Sequence, residues 1–298
     1  MKPKYSYRTD FASERMKEDL KSDHVKIYKR EEEHCKVSKI HVLQEDEMIN
    51  AHKGIYVSIV FDELDKEEVQ RNVSEVLTKQ LLELMKEYNV ENRKCLLVGL
   101  GNRNVVADAL GSEVISKILV TSHLFELEGE HEGVSNVSAI APGVMGQTGI
   151  ESFDIIEGIC KKVSPDYVII VDALATKTMS RINKMIQISD TGIAPGSGVG
   201  NHRKAIDIDT LGVPVLVVGV ATVVDIISIT KEVIENSLRY ENREVDSAYI
   251  DQLLDDLSID TTSSWIVTPR EMDHDLIHLS EVIAQAINSS LHPFLRAS

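Results

Sequence analysis

The 298 residues, 43% of them apolar, suffice to bury a full core in one large domain or two modest ones. The 32 basic and 48 acidic residues leave a net charge of -16, which repels phosphate backbones and anionic lipid; no direct nucleic-acid or membrane binding is expected. Cys35, Cys95 and Cys160 lie far apart with no CxxC pair, which argues against a disulfide framework or zinc site and fits a reducing cytoplasm.

The first residues, MKPKYSYRTDF, lack the apolar core of a signal peptide, and the longest apolar run, VPVLVVGVATVV, is too short to span a bilayer. From Lys2 to about Asp23 the chain is charged and lacks periodicity, so an ordered core is not expected there and the stretch reads as a tail or detachable segment. HVKIYKREEEHCKVSKIHVL predicts two strands around the polar KREEEH. IYVSIVF predicts another, ahead of a helix over EEVQRNVSEVLTKQLLELMKEY.

KCLLVGL, VSAIAP, DYVIIVD and VPVLVVGV are short apolar runs suited to strands buried on both faces. Between them DALGSEVISKILV and ESFDIIEGICKKV carry helical spacing, so the alternation predicts an α/β fold with a mostly parallel sheet flanked by helices and additional N-terminal strands. A helix is expected over TVVDIISITKEVIENSL, then irregular chain through REVDSAYIDQLLDDLSIDTTSS, then a final helix opened by Pro269.

Ligands of an open parallel sheet gather beyond the carboxyl ends of its strands. Asp172 ends DYVIIVD, and Asp108 follows LLVGLGNRNVVAD across a loop whose Gly99 and Gly101 permit tight turns. Taken singly, each aspartate also reads as a helix cap or turn residue. Two carboxyls sharing a site do not both ionise easily, which leaves one as acid and one as base for water. The same oxygens, with His123, would alternatively suit a divalent metal.

The glycine-bearing loops Ala141–Ser152 and Ser189–Lys204 allow backbone N–H groups to face an anion or an extended peptide, and equally read as tight turns. Neither carries a Walker pattern. Ser122 and Ser197 show no Ser-His-Asp arrangement, and Cys95 and Cys160 read as core.

VGLGNRNVVADALG, HLFELEG, SAIAPGVMGQTGIES, VDALATKTMSRINKMIQISDTGIAPGSGVGNHRK and LGVPVLVVGVATVVD together resemble the germination protease family of endospore-forming bacteria. The stretch from REVDS to PREMD resembles the family's C-terminal part with a shortened link. The resemblance implies an endopeptidase of small acid-soluble spore proteins, acting in the forespore or spore core at a motif close to TEFASE and made as a self-processing zymogen.

On that reading TDFASE, Thr9 to Glu14, is a substrate mimic carried in cis, cut between Asp10 and Phe11. The organisation implied is a propeptide over 1–10 and a single α/β peptidase domain over 11–298, with an N-terminal strand extension and a C-terminal helix. The resemblance makes Asp108 and Asp172 the catalytic pair of an atypical aspartic protease. It further implies no metal or other cofactor and a homo-tetramer, in a three-layer fold similar to hydrogenase maturation peptidases, whose GxGN start matches Gly99 to Asn102. Ala107 and Ser112 stand where the family often has proline, so loop rigidity is expected to differ.

Two readings remain beside this one: a metal-dependent peptidase of the same fold, and a non-catalytic protein that binds peptides or anions. Acidification is the expected trigger of processing, with the mixed-charge tail loosening as its acids titrate.

Overall fold

In the computed structural model, described for residues 9–15, 23–45, 51–129, 132–194, 204–257 and 265–296, the apolar runs assemble into one nine-stranded sheet. Helix α1 is a single turn, Ala12–Arg15. Strands β1 (Val25–Glu32), β2 (Cys35–Val42) and β3 (Gly54–Phe61) form an antiparallel meander. The polar KREE belongs to β1, and only Glu33 and His34 turn the hairpin, His34 at a positive φ of 58°.

Helix α2 (Glu67–Glu87) buries Val69, Val73, Leu77, Leu81 and Leu84, a stripe at helical spacing. Strand β4 (Cys95–Gly99) follows, then a 3-10 turn at Val106–Asp108 and the short α3 (Leu110–Ile115). The helix expected to run on to Val120 stops early because Asn288 takes the Leu119 N–H and donates to the Lys117 carbonyl.

Next come α4 (Ser122–Glu128), β5 (Val137–Ile140), α5 (Met145–Thr148), α6 (Ser152–Val163), β6 (Tyr167–Thr176), β7 (Met185–Ser189) and α7 (Ile208–Leu211). The chain closes with β8 (Val215–Asp225), α8 (Ile226–Tyr240), α9 (Ser247–Leu257), β9 (Ile266–Val267) and α10 (Met272–Leu291).

The strand order is β1-β2-β3-β7-β8-β6-β4-β5, with β9 on β8. Pairing is parallel from β8 through β6 and β4 to β5, and antiparallel elsewhere. The α/β architecture matches expectation, but parallel pairing is confined to the half of the sheet whose strands are joined by helical crossovers. Strand β7, absent from the sequence reading, returns from β6 over a short turn and welds the meander to that half.

One face of the sheet packs on α2, α3 and α10, and the other on α6, through Leu96, Val98, Ile156, Ile170 and Val217. Two further boundaries differ from expectation. Strand β8 runs on to Asp225 because β6 and β9 pair with its end, and Asp225 then caps α8 by accepting from the Ser228 N–H and hydroxyl. The acidic stretch expected to be irregular contains α9, whose Ile250 and Leu254 pack on Ile227.

Candidate active site

Strand β4 stops at Gly99, opposite Val171, while β6 runs on to Thr176. The last residues of β6 therefore present a free backbone edge where β4 has ended, and the N-terminal segment takes it. The Asp10 N–H donates to the Ala175 carbonyl at 3.0 Å, and the Ala175 N–H donates to Asp10 Oδ2 at 2.9 Å. A segment expected to lack ordered packing is thus built into the protein over residues 9–15; residues 1–8 and 16–22 lie outside the described residues.

From β6 the segment crosses the sheet over two rows of side chains fixed by register. Asp172 lies beside Gly219, Gly219 beside Gln187, and Gln187 beside Ser58, so four strands lend one residue each to a polar row. Two residues further along the strands, Leu174, Ala221, Met185 and Val60 form an apolar row, and the fully buried Phe11 packs on it. Gly219 leaves room for Leu174: a Cβ on it would meet the Leu174 side chain, which would have to shift.

Gln187 holds the backbone on both sides of Phe11. Its Nε2 donates to the Asp10 carbonyl at 3.3 Å, and its Oε1 accepts from the Ala12 N–H at 2.9 Å. Because an N–H only donates, the Ala12 contact fixes which end of the amide faces the Asp10 carbonyl. Ala12 packs on Ile40, Val42 and Tyr56, and Ser13 lies 3.4 Å from the Ser58 hydroxyl.

Asp172 is 7% exposed, and its Oδ1 accepts from the Ala173 N–H at 2.9 Å. Burial first, and then the negative charge of Asp108, hold its carboxyl well above the usual aspartate value, with Asp10 adding to the shift. Asp10 is itself raised, chiefly by burial. Asp172 thus feels the charge of both Asp108 and Asp10.

Asp108 is carried by the 3-10 turn and is more open to solvent than Asp172. Its Oδ2 accepts from the Asn102 N–H at 2.8 Å. Gly101, at φ 102°, lies so close to Asp108 that any side chain would strike its carbonyl. Gly99 presses against α3 at Gly111 in the same manner. The loop Gly99, Gly101 and Asn102 therefore seats Asp108, and Asn102 is tied outward by Gln147, whose Nε2 donates to its Oδ1 at 2.6 Å.

Other residues singled out by sequence lie elsewhere. His123 is exposed on α4. Among the described residues, the side-chain groups with metal-ligand spacing are Asp65, His274 and His278, and Glu33, His34 and Glu68; neither includes Asp108, Asp172 or His123. Ser122 begins α4, and Ser197 falls outside the described residues with most of its loop. Cys95 and Cys160 are buried, and burial raises the Cys95 thiol to about 12, which removes it as a nucleophile at neutral pH.

Sequence reasoning missed Gln187, Lys177 and Arg181. Gln187 was readable only as a polar residue in the middle of the buried run MIQIS, all five residues of which are buried.

Residues 6–250 match the family model for germination protease. The germination protease of Oceanobacillus iheyensis is 40% identical over 306 residues, covering 86% of this chain and 83% of its own length. That of Priestia megaterium is 45% identical over 258 residues, covering 81% of this chain and 70% of its own, and that of Bacillus cytotoxicus is 44% identical with the same coverage. Among solved structures, the [NiFe] hydrogenase maturation protease HycI from Thermococcus kodakarensis KOD1 matches with a TM-score of 0.35 and 15% identity, covering 70% of this chain and 98% of that one. With nearly its whole described sheet inside the matched span, the chain belongs to the germination protease family.

Proposed function

We propose that this chain is a self-processing endopeptidase of spore germination, in which Asp108 and Asp172 activate water against the Asp10–Phe11 amide. One observation carries the reading: the segment 9–15 is seated like a substrate, with its Asp10 carboxyl felt by Asp172 and Phe11 sunk in a pocket next to it. Asp172, kept protonated by burial, is the acid, and the more open Asp108 is the base.

Asp108 takes a proton from water as its oxygen bonds to the Asp10 carbonyl carbon. The charge that gathers on the carbonyl oxygen is met by the Gln187 amide and the Asp172 proton. Collapse breaks the C–N bond as the Phe11 nitrogen takes the proton that Asp108 had accepted, which restores the Asp108 carboxylate; the products are a new main-chain carboxyl on Asp10, which loses its remaining proton to solvent, and a chain beginning at Phe11. Residues 1–10 are on this reading a propeptide, whose Asp10 is bonded to the edge of β6.

The substrates in trans are small acid-soluble spore proteins in the spore core, cut at a TEFASE-like site. Family membership supports this protein-substrate reading. A homo-tetramer without metal completes the proposal.

Asp108→Asn and Asp172→Asn are each expected to abolish formation of the chain starting at Phe11, read by mass spectrometry after mild acid incubation, with an unchanged far-UV spectrum. Wild-type processing should persist in a chelator. Processing at the wild-type rate in the double variant would refute the carboxyl pair.

A further inference from the structure

We propose that the cleft contains a carboxylate-selective subsite, built by the Thr176 hydroxyl, the Lys177 main-chain N–H and the Arg181 guanidinium, which admits peptides bearing glutamate three residues after the aromatic that follows the cut. The inference rests on the reading of residues 9–14 as bound in the manner of a substrate.

The side chain of Glu14 is 0% exposed although it belongs to a terminal segment. Both its oxygens are satisfied. Thr176 Oγ1 donates to Oε1 at 2.6 Å and Arg181 Nη1 at 3.0 Å, while the Lys177 N–H donates to Oε2 at 2.9 Å. Thr9 Oγ1 closes the shell at 2.5 Å from Oε2, and Lys177 Nζ donates to the Glu14 carbonyl. Burying a carboxylate is tolerable only with such compensation.

Apart from Thr9, the donors belong to the cleft wall and not to the segment, so they stay when the segment leaves. Thr176 ends β6, four residues past Asp172, and the loop carrying Lys177 and Arg181 is anchored to α8 through the Met179 N–H and Glu232. The pocket therefore stands at a fixed distance from the carboxyl pair.

The bound segment is a ruler of matching length. Its single turn, with the Glu14 and Arg15 N–H groups bonded to the Phe11 carbonyl, sets the reach from the Phe11 pocket to the Glu14 carboxylate. Glutamine in that place would turn an NH₂ towards N–H donors, leaving buried polar groups unpaired, and aspartate is one methylene short. A site built this way rejects the neutral isostere far more strongly than an apolar pocket rejects a wrong shape.

The test uses the full chain carrying Asp172→Asn, so that the segment is not consumed, and measures amide hydrogen exchange over residues 9–15. Glu14→Gln should lower protection by about tenfold to a hundredfold. The same change should add little once Arg181→Gln or Thr176→Val is present, each checked for an unchanged far-UV spectrum. Protection that is equal for glutamate and glutamine, or losses that simply add in the double variants, would overturn the subsite.

In the chain with Asp172 intact, Glu14→Gln and Glu14→Lys should slow self-cleavage and scatter its position. Cleavage at one unchanged site and rate would sink the subsite and leave the protease reading standing. Glutamate-dependent protection in a chain that never cleaves would do the reverse.

Discussion

At the scale of single residues, burial does more than sequence chemistry to set the behaviour of Asp172 and Asp10. Asp172 and Asp10 both have folded-state values raised above the ordinary 3.8, with burial the largest cause. A carboxyl raised by folding binds its proton more tightly in the folded, docked state. The stability it lends is fully present below the unfolded value and is lost as pH rises through the folded one. Acid therefore favours docking of residues 9–15 through Asp10, the opposite of the loosening expected from a mixed-charge tail. It also keeps the Asp172 carboxyl in its protonated form. Self-cleavage should accelerate as pH falls from neutral into the mildly acidic range, followed by the mass of the product beginning at Phe11; a rate flat across that interval would remove the carboxyl pair from the chemistry.

The candidate pair itself was legible at this scale because each aspartate ends or closely follows an apolar run, where a parallel sheet gathers its ligands. Glu14 was not. A lone glutamate near a charged terminus looks solvated, and only the donors of Thr176, Lys177 and Arg181, more than 160 positions along the chain, make it a buried anchor.

Among elements, register is the working principle. The row Asp172, Gly219, Gln187 and Ser58 exists because β6, β8, β7 and β3 pair in one alignment. A slip of one residue on any of these strands would turn its member of the row to the opposite face. Gln187 reaches the Asp10 carbonyl only through that alignment. Gln187→Ala should slow self-cleavage by about two to three orders of magnitude, the scale seen when one oxyanion donor is removed. Timed mass spectrometry checks it, and an unchanged rate would assign Gln187 to docking alone.

Periodicity found β3, α2, β4, β5, α6 and α10 because each carries its own apolar pattern. It overlooked β7, whose five residues MIQIS are too few to declare a period, and α9, whose acidic residues obscure the spacing of Ile250 and Leu254. The end of β8 was misread as helix since its apolar residues suit either form. Pairing with β6 and β9, and the Asp225 cap, decide it.

For the molecule as a whole, the net charge of -16 and the exposed apolar side chains Tyr240, Tyr249, Trp265 and Ile266 bear on association. Exposed apolar surface of that kind suits a contact between copies, whereas the charge opposes one at low ionic strength. The proposed tetramer should therefore sediment as four chains at physiological salt and weaken as salt is withdrawn; a monomer throughout would remove the assembly from the proposal. Among the described residues no helix is long and apolar enough to cross a membrane.

The sequence by itself determined the α/β class and, through five ordered motifs, the family, and it singled out two candidate aspartates by their apolar runs, since these depend on residue type and near-neighbour spacing; that β6 runs on past Asp172 to Thr176 was decided by its pairing with β8. Tertiary structure alone decided that residues 9–15 are packed into the sheet, that Gln187 grips both sides of Phe11, and that Glu14 has a charged pocket. Those contacts join segments far apart along the chain, and the strand pairing that brings them together leaves no periodic signature at any one of them.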